Sequence, residues 1–256
     1  MLGKRNTGKS FLVRDLLHCH TSLPVGTVIS ATERVNKFYT SMVPSIFIHD
    51  EFTPELIEKV RTRQELIIKQ KEKDVRTYGK SSIDQRAFLI LDDCLYDGSW
   101  AKDKNIRFFF MNGRHINLFF IITMQYPLGV PPNLRTNIDY VFILRENYVS
   151  NRKRIYENYA GMFPSFEVFC QVMDQCTQNY ECLVIDNTSK SSKLEDCVFW
   201  YKASDHGEFA LCNDEYWALA REHEAAACED DGEVMYDPSL FRKKNAPNIN
   251  VQKSYR

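Results

Sequence analysis

The first ten residues constrain the chain most, because they contain the pattern G-x-x-x-x-G-K-S between Gly3 and Ser10. Glycines at this spacing let the backbone curl so that successive N–H groups point inward and bind a phosphate. The lysine of such a loop reaches the β- and γ-phosphates of a nucleotide, and the next hydroxyl ligates Mg²⁺. A helix beginning near Lys9 would direct the positive end of its dipole at the same phosphates. The plainer interpretation is a glycine-containing turn before a helix. The predicted nucleotide-binding residues are Gly3, Lys4, Arg5, Asn6, Thr7, Gly8, Lys9 and Ser10.

The bulk composition narrows the class of protein. The 256 residues, of which 44% are hydrophobic, suffice for one large or two small domains. Basic and acidic residues balance, 33 against 34, so nucleic-acid binding would have to come from local patches rather than from net charge. No apolar run approaches the roughly 18 residues of a membrane-spanning helix. The N-terminus lacks an apolar leader segment, and we expect neither a secretory signal nor a transmembrane protein.

The eight cysteines contain no C-x-x-C pair. This spacing argues against the common zinc sites and against a compact disulfide framework. We expect mostly buried, reduced thiols, as in a cytosol-like compartment.

Short apolar runs without polar alternation predict strands that are buried on both faces. Helical segments separate these runs, and one of them begins at Thr53-Pro54 with a capping residue and a proline in the first turn. Another helix, near residues 106–110, is expected to stop at Gly113. The predicted fold is therefore α/β, a mostly parallel sheet with helices on both faces. The predicted strands lie at 27–30, 88–91, 118–122 and 140–144, with 182–185 and 198–201 extending the same sheet.

Two acids follow the second of these strands, in the run Phe88-Leu89-Ile90-Leu91-Asp92-Asp93. Beside a bound nucleotide, Asp92 would serve the Mg²⁺ ion, usually through water, and Asp93 would orient or deprotonate the attacking water. Gln125 ends the next apolar strand, where a neutral amide can donate to the γ-phosphate and accept from the water. A strand that simply ends in polar loop residues is the alternative for both.

Phosphoryl transfer also requires a cation at the developing charge, and three arginines are candidates. These are Arg107, Arg114 and Arg135, of which we favour Arg114, because it precedes the Gln125 strand where a neighbouring subunit's site could lie. Any of them could instead be an ordinary surface cation.

Taken together, these motifs resemble the genome-packaging ATPases of large nucleocytoplasmic DNA viruses, a viral branch of the FtsK/HerA superfamily, with the giant-virus members most similar. The similarity extends from residue 3 to about residue 203. The ordered set is more selective than the first motif alone, which many NTPases share. The matching motifs are residues 3–10 (Walker A), Leu91-Asp92-Asp93 (Walker B), Gly113-Arg114-His115, Thr123-Met124-Gln125-Tyr126 and residues 131–139, with Thr32-Glu33, Asn36, Tyr39 and Phe163-Pro164-Ser165-Phe166 as further matches.

The resemblance implies an ASCE-type, RecA-like core that hydrolyses ATP with Mg²⁺, assembles as a homo-oligomeric ring and drives double-stranded DNA into a capsid. By the same resemblance, Lys9 and Ser10 bind ATP and Mg²⁺, Asp92 serves the metal and Asp93 the water. Gln125 would be the sensor, and Arg114 or Arg135 would act between subunits. Many relatives have Glu where this chain has Asp93, so the water would have to lie closer. The implied partners are capsid or inner-membrane proteins of the virion, in the virus factory of the host cytoplasm or in the virion itself.

The chain departs from the family pattern in front of the loop, where only Met1 and Leu2 stand in place of an apolar strand. We therefore expect a truncated first strand and a loop without its anchor, as from an internal start. The predicted ATPase domain is 1–203, followed by a peripheral segment and basic tail at 204–256. DNA contacts are the least defined feature. Candidates are Arg152-Lys153-Arg154, the tail at 242–256 and the charged stretch 69–82, each of which is more often solvated surface.

Two other functions fit part of the pattern. A nucleoside or nucleotide kinase also uses a phosphate loop, but paired acids followed by a Gln-ended strand suit water activation better. A catalytically silent structural subunit is the other alternative, favoured by the short first strand. DNA-stimulated ATP hydrolysis, phosphate transfer to a nucleoside and no turnover, respectively, distinguish the motor, the kinase and the silent subunit.

Overall fold

The computed structural model of the chain describes residues 1–95 and 98–230, and the predicted basic tail at 242–256 lies outside them. A compact unit comprises Met1–Ala220. Its strands are β1 (Gly26–Ser30), β2 (Ile48–His49), β3 (Ala87–Asp92), β4 (Leu118–Thr123), β5 (Tyr140–Ile143), β6 (Glu181–Asp186) and β7 (Val198–Lys202). The helices are α1 (Lys9–His18), α2 (Glu33–Asn36), α3 (Pro54–Tyr78), α4 (Lys104–Asn112), α5 (Pro132–Arg135), α6 (Val149–Tyr159), α7 (Phe166–Cys176) and α8 (Asp214–Asp230). Among the described residues, no helix is long and apolar enough to cross a bilayer.

Four parallel strands form the main sheet in the order β2-β1-β3-β4. Every residue of β1 and β3 is buried, as expected for central strands covered on both faces. The register aligns Ser30 with Asp92 and Asp92 with Thr123, so the polar ends of three neighbouring strands meet at one edge. The predicted α/β class with a mostly parallel sheet is confirmed.

The last three strands form a second sheet, β5-β6-β7, in which both pairings are antiparallel. The expectation that 182–185 and 198–201 extend the parallel sheet is therefore wrong. Two helices, α6 and α7, separate β5 from β6, and the chain returns to the end of the sheet at which β5 finishes, since Ile143 pairs with Leu183 near the start of β6. No α-helix separates β6 from β7, and a connection without a crossover helix favours antiparallel pairing.

Leu2 joins the two sheets. It forms parallel bridges with Met124 after β4 and with Ile143 in β5. The Leu2 N–H donates to the Phe142 carbonyl oxygen and the Leu144 N–H donates to that of Leu2, each at 2.8 Å. The neighbouring residues add bonds from the Met124 N–H to Met1 O at 2.9 Å and from the Gly3 N–H to Met124 O at 3.0 Å. The predicted loss of the loop's anchor is wrong, because this short segment pairs on both sides.

A cavity of about 560 Å³ lies beside Met1 between β4 and β5. Side chains of both strands line it, including Phe119, Ile121, Tyr140 and Phe142. In the described part of the chain β4 pairs with β3 and β5 with β6, so Leu2 provides the hydrogen-bonded connection between the sheets at this place.

One local expectation is confirmed and one needs correction. The helix stops at Gly113 as predicted, because α4 ends at Asn112 with Gly113 as its C-cap, but Gly113 has φ −53° and the reversal of the chain follows a 3-10 turn, at Asn117, whose φ is 53°. Asparagine tolerates this left-handed region better than most residues. Among the seven cysteines that the structure describes as free, Cys94 and Cys182 are buried, Cys19 is exposed and the other four are half-buried. The prediction of mostly buried thiols is wrong in extent, because several cysteines lie on helix flanks and in loops rather than in the central strands.

Close packing at Gly26 generates a stability prediction. A Cβ atom at this position would stand 2.1–2.2 Å from three ring atoms of Phe88, which is fully buried in β3. The Gly26→Ala variant should therefore lose about 1–3 kcal/mol of unfolding free energy through overpacking. Gly161→Ala is the matched control, since nothing lies within 4 Å of its Cβ position. Equal urea midpoints for the two variants would contradict the described packing.

Candidate active site

Hydrogen bonds within the loop at residues 3–10 hold it in a curled conformation immediately before α1. The Thr7 hydroxyl donates to the Lys4 carbonyl oxygen at 2.8 Å, and Lys9 Nζ donates to the carbonyl oxygens of Gly3 and Lys4 at 2.9 and 3.1 Å. Gly8 has φ 98°, a conformation that favours glycine. At Gly3 a Cβ would lie 2.7 Å from Thr7 Oγ1. A side chain is therefore disfavoured at both positions, by backbone conformation at Gly8 and by close contact at Gly3.

A single hydroxyl organises the two acids that follow β3. Thr123, at the end of β4, donates from Oγ1 to Asp92 Oδ1 at 2.6 Å and accepts from the Asp93 N–H at 3.0 Å. The backbone of Asp93 is left-handed, with φ 45°. This conformation is uncommon for a residue with a side chain and turns Asp93 away from the strand direction. Thr123 therefore couples the positions of both carboxylates.

The predicted catalytic residues Lys9, Asp93 and Gln125 come together at the carboxyl edge of the parallel sheet. Asp93 Oδ2 lies 3.1 Å from Lys9 Nζ and accepts a bond of 3.1 Å from Gln125 Nε2. Lys9 is only 6% exposed, whereas the Asp93 side chain is 26% exposed and Gln125 is open to solvent. A carboxylate that is accessible to water thus stands between an ammonium group and an amide.

Asp92 occupies a different environment from its neighbour. Burial raises the pKa of its carboxyl, and the hydrogen bond from Thr123 opposes that shift. The Tyr39 hydroxyl is buried nearby, and burial followed by the charge of Asp92 raises the pKa of Tyr39 well above its usual value. Among the described residues, this hydroxyl has no partner at ordinary hydrogen-bond distance.

These oxygen donors fit a hydrated Mg²⁺ ion. A cation near Asp92 would favour its charged form, and a coordinated water could satisfy the buried Tyr39 hydroxyl. Ser10 lies in the first turn of α1, and its hydroxyl is the ligand that the loop motif predicts for the same ion. The residues that would hold Mg²⁺ are therefore Ser10 directly and Asp92 through water.

A buried carboxylate, Glu146, fixes the other side of the loop. Lys4 Nζ lies 2.7 Å from Glu146 Oε1, which also accepts from the Tyr148 N–H at 2.8 Å. Asn151 Nδ2 donates to Oε2 at 3.0 Å. Burial alone would raise the pKa of Glu146, but these hydrogen bonds outweigh it and hold the pKa below its ordinary value. Glu146 thus links the loop to the segment after β5.

Arg114 does not join the site of its own chain. It belongs to the 3-10 turn before β4, whereas Gln125 follows the opposite end of that strand. At ~3.3 Å per residue, β4 separates the two ends by more than about 16 Å. Arg114 forms an ion pair with Asp139, and its Nε donates to Asp139 Oδ2 at 3.1 Å. Both side chains remain accessible, which is compatible with a neighbouring subunit.

The other arginine candidates have different surroundings. Arg135 donates to Asn158 and lies over the Tyr159 ring, and Arg107 is exposed on α4. In the 152–154 run, Arg152 is held by Asp174 through a bond of 2.6 Å. That residue therefore has a structural role.

Sequence reasoning missed the roles of Thr123, Tyr39 and Glu146. A polar residue at the last position of an apolar strand was the available signal for Thr123, since the register of parallel strands aligns it with Asp92. The sequence contains no comparable signal for Glu146, because its burial depends on where the segment after β5 crosses the loop.

Comparison with known proteins places the chain among viral relatives. No family model matches the sequence. The chain is 44% identical over 206 residues to the uncharacterized protein L437 of Acanthamoeba polyphaga mimivirus, and this match covers 80% of this chain and 72% of L437. It is 42% identical over 205 residues to protein 075L of Invertebrate iridescent virus 6, covering 78% and 75%. It is 35% identical over 244 residues to protein 015R of Frog virus 3, covering 94% and 70%.

Solved structures share the fold at low sequence identity. The genome packaging NTPase B204 of Sulfolobus turreted icosahedral virus 2, in complex with AMPPCP, superposes with a TM-score of 0.52 at 15% identity, covering 80% of this chain and 96% of B204. The ATPase domains 2 and 3 of EssC from Geobacillus thermodenitrificans give 0.52 at 14% identity, covering 90% and 43%. The chain therefore has a P-loop ATPase fold and belongs, with L437, 075L and 015R, to one family of proteins from large DNA viruses.

Proposed function

We propose that the protein is an ATP-hydrolysing motor that drives double-stranded viral DNA into the capsid as a homo-oligomeric ring. The observation that carries the hydrolytic part is the position of Asp93, whose carboxylate lies 3.1 Å from both the Lys9 ammonium and the Gln125 amide. Paired groups of this kind suit the activation of water at a γ-phosphate better than the binding of a second nucleoside.

In the proposed reaction, Asp93 accepts a proton from a water molecule whose oxygen attacks the γ-phosphorus. The bond from the γ-phosphorus to the bridging oxygen breaks, and ADP and inorganic phosphate leave. Gln125 orients the water and donates to the γ-phosphate, while Lys9 exchanges its loop carbonyl partners for the β- and γ-phosphates. Ser10 directly and Asp92 through water would hold Mg²⁺, which would supply positive charge at the phosphate oxygens.

The pumping of DNA is supported by the family and by fold. The relatives come from large DNA viruses, and B204 is named as a genome packaging NTPase, also solved with ATP-gammaS. We infer that double-stranded DNA is the translocated substrate and that capsid or inner-membrane proteins of the virion are partners, in the virus factory or the virion. The accessible Arg114–Asp139 pair suits a surface between ring subunits.

The first functional prediction concerns ATP turnover with and without duplex DNA. Lys9→Ala and Asp93→Asn should each reduce DNA-stimulated phosphate release by at least about 10²-fold, because they remove a phosphate contact and the general base, respectively. Asp205→Asn, an exposed control, should behave like wild type. Wild-type turnover that persists in Asp93→Asn would contradict the role of Asp93, and phosphate transfer to a nucleoside would favour a kinase.

The second prediction concerns Thr123. Replacement by Val keeps the shape but leaves the Asp93 N–H unpaired and removes the donor to Asp92. We expect kcat to fall by about 10- to 100-fold through misplacement of the acids, with a smaller change in KM for ATP. Thr123→Ser keeps the hydroxyl and should retain most of the activity. Similar kcat values for the Val and Ser variants would show that this hydroxyl does not position the acids.

The third prediction tests Arg114 between subunits. Arg114→Ala and Lys9→Ala should each be inactive alone. If Arg114 serves a neighbour's site, random mixing should restore about a quarter of the wild-type rate per site, since each intact residue is present in half of the subunits that meet at a head-to-tail interface. Arg107→Ala is the control. Full activity of Arg114→Ala, or no recovery on mixing, would exclude Arg114 as the shared cation.

A further inference from the structure

Two exposed tyrosines lie beside the phosphate-binding loop without a part in the proposed hydrolysis. Tyr148 is 65% exposed and Tyr180 is 71% exposed. Tyr148 follows β5 and Tyr180 immediately precedes β6, so both belong to the side of the loop that faces away from β3. Large aromatic side chains gain stability by burial, so their exposure next to this loop suggests that a ligand covers them.

Tyr180 is held in a conformation that few tyrosines adopt. Its φ is 63°, and the preceding Asn179 has φ 51°, so two consecutive residues are left-handed. This region is unfavourable for a bulky side chain and persists only where the surroundings enforce it, often at ligand-binding sites. The result is that the ring lies on the loop, because a Cβ added at Gly8 would stand 3.4 Å from Tyr180 Cδ1.

Tyr148 is fixed by the loop and by a buried acid. Its N–H donates to Glu146 at 2.8 Å, and Lys4 Nζ lies 3.5 Å from the centroid of its ring. Lys4 is itself paired with Glu146. The Lys4 ammonium therefore covers one face of the Tyr148 ring, while most of the side chain stays accessible.

The catalytic groups define which end of a nucleotide would reach these rings. Asp93 and Gln125 follow β3 and β4, on one side of the loop. Under the proposed function the γ-phosphate lies at those groups and at Lys9. The nucleoside, at the other end of the triphosphate, then leaves the loop on the opposite side, where β5 and β6 meet and where both tyrosines stand.

We propose that Tyr180 is the platform on which the purine base of the bound nucleoside triphosphate stacks, with Tyr148 as the second aromatic wall of the same site. The inference rests on the proposed function and adds its base-binding residues. Stacking uses the π-face that every base possesses, so this site favours a large purine ring by contact area and binds ATP and GTP alike.

The test compares a ligand that has a base with one that lacks it. Equilibrium binding of ATP and of inorganic tripolyphosphate is measured by calorimetry for the wild type, Tyr180→Asn and Tyr180→Phe. Asparagine tolerates a left-handed backbone but has no ring, whereas phenylalanine keeps the ring. Tyr78→Asn, which removes an exposed tyrosine from the end of α3, is the control.

We expect Tyr180→Asn to weaken ATP binding by about tenfold, a typical loss for one base–aromatic stack. Tripolyphosphate binding should remain within about twofold, which would also show that the loop is folded. Tyr180→Phe and Tyr78→Asn should bind both ligands like the wild type. Unchanged ATP affinity in Tyr180→Asn, or an equal loss for both ligands, would overturn the inference alone. A wild type that binds neither ligand would overturn the proposed function as well.

Discussion

Backbone pairing at Leu2 is the constraint on which the rest of the structure depends. Its N–H and carbonyl groups bond to the chain on one side, while Met1 and Gly3 bond to Met124 on the other. A phosphate loop can hold its curled backbone only if the residues before it are fixed, because the loop itself contains few apolar side chains. Here three residues link a parallel sheet to an antiparallel one and place the loop at the edge where both end.

The second sheet also stabilises the helix that follows the loop. Asp15, on α1, is 2% exposed and accepts hydrogen bonds from the Tyr201 hydroxyl at 2.5 Å and from the Ser204 N–H at 3.2 Å. His206 Nε2 lies 2.6 Å from the same carboxylate. Residues at and after the end of β7 thus fix α1 through Asp15, while the backbone bonds of Leu2 fix the loop that precedes α1. These contacts are possible because β7 is an edge strand of the second sheet and the residues that follow it reach α1.

Much of this arrangement could be predicted from local pattern. Apolar runs without alternation identified the buried central strands β1 and β3, but the same expectation of burial is wrong for the similar run at 198–201, because Phe199 and Trp200 of β7 are exposed. Asp92-Asp93 and Gln125 could be assigned to one edge because parallel strands end together. The direction in which β6 and β7 pair could not be predicted, since an apolar run has the same pattern in a parallel and in an antiparallel strand. The hydrogen bonds at Leu2 involve backbone groups, which the residue type does not predict, although its side chain is buried in the core. The position of Tyr180 beside the loop could not be predicted either, because it depends on a left-handed backbone that tyrosine does not favour.

The backbone conformation of Asp93 compensates for its short side chain by moving the carboxylate toward Lys9 and Gln125. A glutamate would extend one methylene further from the strand toward an attacking water. In this chain the left-handed turn at Asp93, fixed by the bond from its N–H to Thr123, carries the whole residue out of the strand direction. Its carboxylate thereby comes within 3.1 Å of both Lys9 and Gln125. If Asp93 is the base, as proposed, its position depends on the Thr123 hydroxyl at the end of β4, so the two residues act together.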